Sequence, residues 1–146
     1  MLVYLDMCCL KRPFDDQTQP RIRLEAEAVL GLLAAESAAL RFVRSAALVL
    51  ENQQNPIRQR AARVEQWLTE EPTWRPVATE IQNRVAELIQ MGLKSFDALH
   101  VASAEQAGAD VMATCDDRLV DACRRHAAQL NVRVASVLDL AAEVLK

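Results

Sequence analysis

Four short apolar runs, separated by helical stretches, restrict this chain to a parallel sheet covered by helices. Leu2–Leu5 is uninterruptedly apolar and ends at Asp6, the pattern of a strand buried on both faces. Phe42–Ser45, Asp110–Thr114 and Val132–Val134 read as further strands. Helical periodicity covers 21–37, 46–53, 57–68, 77–91, 95–107, 117–130 and 137–145. Asn55-Pro56, Pro72, Gly92 and Gly108 supply the breaks, and Ser95 is placed to cap a helix. The segment from Asp6 to Pro20 reads as a loop in which no helix begins. Parallel strands need crossover connections, usually helical. The expected fold is therefore a three-layer α/β/α architecture with a central, mainly parallel sheet of four or five strands. A length of 146 residues suits one domain, 1–146.

Composition narrows the function. A net charge of −3 predicts no general attraction to nucleic acid, which counts against a simple nucleic-acid-binding module. It leaves a nuclease open, because an acidic metal site subtracts charge that bound cations restore. Of the 17 basic residues 14 are Arg, a bias that either genome composition or forked phosphate contacts explain. The four cysteines, at 8, 9, 115 and 123, have no CxxC spacing of the kind that binds zinc. No secretory leader and no apolar stretch long enough for a bilayer is evident, so a cytoplasmic protein with reduced thiols is expected. Cys8, Cys9 and Cys115 nevertheless flank two of the acids considered next.

Asp6 ends the first strand, Asp116 lies just beyond the third, Glu51 follows the second by one or two helical turns, and Asp97 opens a helix. In open α/β sheets ligands bind beyond the carboxyl ends of the strands, so these four acids are expected to share one cleft. Each also has a simpler explanation. Asp97 suits a helix dipole, Asp116 suits an N-cap, and Glu51 suits a solvated helical face. Asp6 is harder to dismiss, since a carboxylate extending a buried strand is costly unless paired or metal-bound. Clustered carboxylates raise one another's pKa, and a hard divalent ion such as Mg²⁺ or Mn²⁺ removes the conflict. Such an ion can activate a phosphodiester for hydrolysis.

Several segments resemble the PIN-domain family. Residues 3–17 (VYLDMCCLKRPFDDQ) are similar to the opening of one of its subgroups, with an LDTCCLNRPF pattern. Phe96–Ala104 (FDALHVASA) resembles its DALHxAxA helix, Ala109–Leu119 its Thr-x-Asp strand end, and Leu48–Glu51 with Asn55-Pro56 the segment bearing its second acid. The resemblance implies a metal-dependent endoribonuclease with Asp6, Glu51, Asp97 and Asp116 as metal site. It implies that Thr114 positions a water or the scissile phosphate. Many relatives are VapC-like toxins restrained by a cognate antitoxin, and homodimers are common among them. Asp117 is an alternative fifth acid, although Asp116 occupies the Thr-x-Asp position. Arg12, Arg44 and Arg118 are candidates for phosphate contacts with the RNA, while His100 is expected to pack or bond locally.

Met7 stands where the family usually carries Thr or Ser, so a hydroxyl that would orient Asp6 is missing. That departure motivates a second reading, a catalytically weak PIN-like module that binds RNA or a partner protein. A phosphoacceptor receiver domain would need its acidic pair after the first strand, and a haloacid-dehalogenase-type phosphatase would need Asp-x-Asp there. Asp6-Met7-Cys8 satisfies neither.

Overall fold

The computed structural model describes residues 1–146. Its sheet has four strands, β1 (Leu2–Leu5), β2 (Arg41–Phe42), β3 (Val111–Thr114) and β4 (Arg133–Ser136), in the order β2-β1-β3-β4. All three pairings are parallel, with Val3 facing both Phe42 and Val111, and Met112 facing Val134. The eight helices are α1 (Met7–Lys11), α2 (Pro20–Ala34), α3 (Ala46–Gln53), α4 (Arg58–Leu68), α5 (Ala78–Gln90), α6 (Ser95–Gln106), α7 (Asp117–Arg125) and α8 (Val137–Val144).

The expected α/β/α class and parallel sheet are both present. The two central strands carry the core: Val3, Tyr4 and Leu5 of β1 and all four residues of β3 are buried. On one side α2 packs on α8, and α5 packs on α6 elsewhere around the sheet. Both predicted glycine stops hold. Gly92 and Gly108 adopt positive φ angles of 105° and 77°. At each, the amide three places past the helix reaches back to the third-last helical carbonyl, Leu93 N–H to Leu88 O and Ala109 N–H to Ala104 O. Leu93 and Ala109 are buried, so each stop also anchors the outgoing chain in the core.

Other boundaries differ from expectation for identifiable reasons. The second strand stops at Phe42 because the following backbone pairs elsewhere: Trp74 N–H donates to Arg44 O at 2.7 Å, and Ala46 N–H to Trp74 O at 2.9 Å. Ser45, expected in that strand, instead caps α3 by accepting from Leu48 N–H. Ser95 is the first residue of α6 and makes no capping bond; Lys94 holds the cap position. The helix expected over 117–130 ends at Arg125 and gives way to a short 3₁₀ turn over Ala127–Gln129. The largest correction concerns the segment after Asp6. It is no loop: α1 begins at once, followed by a 3₁₀ turn over Arg12–Phe14.

Candidate metal centre

Strand order places the site. From β1 the chain crosses to β2 on one side, whereas β3 joins β1 on the other, so the order reverses between β1 and β3. Neighbouring connections diverge at such a point and leave a crevice at the carboxyl ends of the strands. Asp6 follows β1 there and Asp116 follows β3.

Asp6 is buried, and its oxygens are separately held. Oδ1 accepts from Met7 N–H at 2.8 Å, which makes Asp6 the N-cap of α1. Oδ2 accepts from the Thr114 hydroxyl at 2.8 Å and from the Cys8 thiol at 3.4 Å. The missing hydroxyl at Met7 is thus supplied from across the sheet by Thr114, while the Met7 side chain lies in the core. Burial is the main force pushing the Asp6 pKa up to about 7; Cys8 adds to it, and His100 and Thr114 oppose it.

Asp97 is half-buried in the first turn of α6 and accepts no hydrogen bond. Its pKa is pushed up to about 6, first by burial and then by the neighbouring Asp6 and Asp116 carboxylates. Asp116 is exposed and caps α7, its Oδ1 accepting from Arg118 N–H at 2.9 Å and Leu119 N–H at 3.4 Å. Thr114 ties the two strand ends together, because the hydroxyl that donates to Asp6 also accepts from Asp116 N–H at 3.1 Å.

Glu51 joins through a buried relay. The Tyr4 hydroxyl contacts Ser45 Oγ at 2.7 Å and His100 Nδ1 at 2.6 Å, and His100 Nε2 contacts Glu51 Oε1 at 3.0 Å. One arrangement satisfies every partner: Ser45 donates to Tyr4, Tyr4 donates to Nδ1, and Nε2–H donates to the carboxylate. Burial works against protonation of His100, but the Glu51 hydrogen bond and the charges of Asp6, Glu51 and Asp97 together raise its pKa. His100 therefore bonds locally, as expected, and in doing so fixes Glu51. Only the length of the separations, 49 and 96 residues along the chain, hid this relay from the sequence.

Two candidates for other roles are engaged elsewhere. Asp117 points away from the acids into a two-pronged ion pair with Arg21, at 2.7 and 2.8 Å. Arg44, proposed to touch phosphate, is buried over the Trp67 ring at 4.1 Å and bonded to Glu36, Glu70 and Trp67 O. A buried guanidinium so fully engaged is a structural tie. Arg12 is held by Asp15 and Glu25, and with the exposed Arg118 it lines a cleft beside Asp116.

No three of the four acids bring one oxygen each within 4.8 Å of one another. A hard ion does not require such a close group, since Mg²⁺ takes one or two carboxylates directly and reaches others through water. The unpartnered Asp97 carboxylate and the free second oxygen of Asp116 are donors of the right chemistry.

The parallel α/β fold carries Asp6 and Asp116 at its switch point, and the comparisons narrow its class. The sequence matches the PIN-domain family over residues 23–125, and the protein belongs to that family, whose members are typically nucleases that bind divalent metals. The match spans Glu51, Asp97 and Asp116 and begins after Asp6. Among solved structures, FitAcB from Neisseria gonorrhoeae is similar in fold, with a TM-score of 0.53 and 17% identity over 92% of this chain and 97% of that one. No curated protein matches. No helix is long and apolar enough to cross a membrane.

Proposed function

We propose that this protein is a metal-dependent endoribonuclease, and that it serves as the toxin of a type II toxin–antitoxin pair. One observation carries the nuclease reading: half-buried Asp97 accepts no hydrogen bond at the switch point, and its pKa is raised by burial and then by the charges of Asp6 and Asp116. Mg²⁺ or Mn²⁺ is the partner that resolves this conflict, held by Asp6, Asp97, Asp116 and Glu51. The ion supplies Lewis-acid polarisation of a phosphoryl oxygen. The chain's own groups do the rest. Thr114 fixes the orientation of Asp6, and His100 holds the Glu51 carboxylate. Arg118, exposed on the cleft, is our choice for a phosphate contact, with Arg12 beside it.

The toxin assignment rests on membership of the PIN-domain family, many of whose members are VapC-like toxins, and calls for a cognate antitoxin, with homodimerisation as a further expectation. A small reading frame immediately upstream of the coding sequence would accord with it.

Cleavage of a mixed RNA panel with Mn²⁺, abolished by EDTA, is the expected result. Cleavage that survives EDTA would refute metal dependence. Binding of RNA without cleavage of any panel member would favour the weak-module reading instead.

Thr114→Val keeps the shape of the side chain and removes the hydroxyl. Losing an outer partner of a metal ligand typically costs about 10-fold or more in metal affinity. Loss of a hydrogen bond to a carboxylate adds a destabilisation of about 1–3 kcal/mol. Mn²⁺ titration followed by thermal melting measures both, and an unchanged affinity would remove Thr114 from the site.

A further inference from the structure

The tightest group of metal-ligating side chains in the molecule is not the acids. Cys8 and Cys9 in α1 and Cys115 just after β3 bring their three Sγ atoms within 4.8 Å of one another. Cys9 Sγ and Cys115 Sγ are 3.6 Å apart. Two thiolates bound to one zinc ion at about 2.3 Å stand roughly 3.8–4.0 Å apart at tetrahedral or trigonal angles. The trio is therefore close to ligand spacing before any ion enters. The sequence offered no CxxC pair because the third sulfur is contributed from 106 residues away, across the junction of β1 and β3.

We propose that Cys8, Cys9 and Cys115 form a thiolate site for a soft cation such as Zn²⁺, Cd²⁺ or Cu⁺, distinct from the carboxylate centre beside it. Soft sulfur ligands select soft ions, whereas the neighbouring carboxylates suit hard ones, so the two sites sort cations by chemistry. Cys115 N–H donates to Cys8 Sγ at 3.2 Å, a bond that holds this sulfur against the end of β3. Cys9 and Cys115 are buried, while half-buried Cys8 borders the cleft that gives an ion its way in. Three thiolates around a divalent ion leave one net negative charge, which Arg118 on the same cleft is placed to offset, whereas Arg12 and Arg21 there are paired with Glu25 and Asp117. Water fills a fourth position if the ion is tetrahedral.

The two sites meet at Cys8, whose sulfur also lies 3.4 Å from Asp6 Oδ2 and 3.3 Å from Thr114 Oγ1. An ion on the sulfurs engages the same Cys8 Sγ that contacts Asp6. Filling the thiolate site thereby changes the surroundings of the acid centre.

The test is a Cd²⁺ titration of the fully reduced protein, read by the thiolate-to-cadmium charge-transfer band in the ultraviolet. The band is expected to saturate at one ion per chain, and Zn²⁺ is expected to protect three of the four thiols from a thiol reagent. Cys115→Ala should abolish the saturating band. Cys8→Ser, at the half-buried position, serves the same purpose if the first variant does not fold. Cys123→Ala, on α7 and outside the trio, should retain it. Absence of the band, or a band unchanged in both ligand variants, would overturn the proposal. So would loss of the band in Asp97→Asn, which would place the ion among the acids. None of these readings depends on RNA cleavage, so failure of the nuclease assignment leaves this result standing on its own.

Discussion

Asp97→Asn is expected to lower RNA cleavage by about 10²-fold or more while leaving the fold intact. The substitution keeps the size of the side chain and removes one negative charge from the set facing the metal. Removing a single well-placed electrostatic group from an active site commonly costs 10²–10³-fold, roughly 3–4 kcal/mol of transition-state stabilisation. The structure adds a second, opposite expectation. Asp97 accepts no hydrogen bond, and its pKa is raised first by burial and then by Asp6 and Asp116. Asn removes that repulsion, so the metal-free variant should melt no lower than the wild type. A residue serving only the fold would show the reverse pattern, with lost stability and proportionate loss of activity. Retained cleavage in Asp97→Asn would place the reaction elsewhere on the molecule.

The sequence revealed the parts of this site that depend on local pattern. Leu2–Leu5 is apolar on both faces because β1 is central in the sheet, and the acid ending such a strand was legible for the same reason. Asp116 reads as an N-cap and is one, yet its charge is also felt by Asp97. What could not be read depends on contacts between distant segments. The Met7 position suggested a poorly oriented Asp6, because the substitute hydroxyl comes from Thr114, 108 residues later. Arg44 seemed available for phosphate, because its stacking on Trp67 and its bonds to Glu36 and Glu70 join three separate stretches of chain. Helix α1 is not legible in the sequence because five residues show too little periodicity, and its cap, Asp6, is also a strand end.

The pH dependence of stability should differ in sign with and without metal. In the metal-free protein the folded-state pKa values of Asp6 and Asp97 are about 7 and about 6. Unfolded carboxyls titrate near 4, so between about pH 4 and 7 the native state binds more protons than the unfolded chain. Stability then falls as pH rises through this window, because the slope follows the protons bound in the unfolded state minus those bound in the native state. His100 acts in the same direction: its raised pKa gives stability present at low pH and lost as pH rises. The combined loss is on the order of a few kcal/mol, or about 5–10 °C in melting temperature for a chain of this size. Below about pH 4 the trend reverses as surface carboxylates with lowered pKa, Asp117 on Arg21 and Glu143 on Arg133, become protonated. Mn²⁺ requires the deprotonated acids, so it should stabilise strongly at pH 8 and weakly near pH 5.5. At a hundred times its dissociation constant it contributes about 2.7 kcal/mol. Melting curves with Mn²⁺ and with EDTA should therefore meet at low pH and separate as pH rises. Parallel curves would mean that the ion binds somewhere other than these carboxylates, and the acid centre would lose its main physical support.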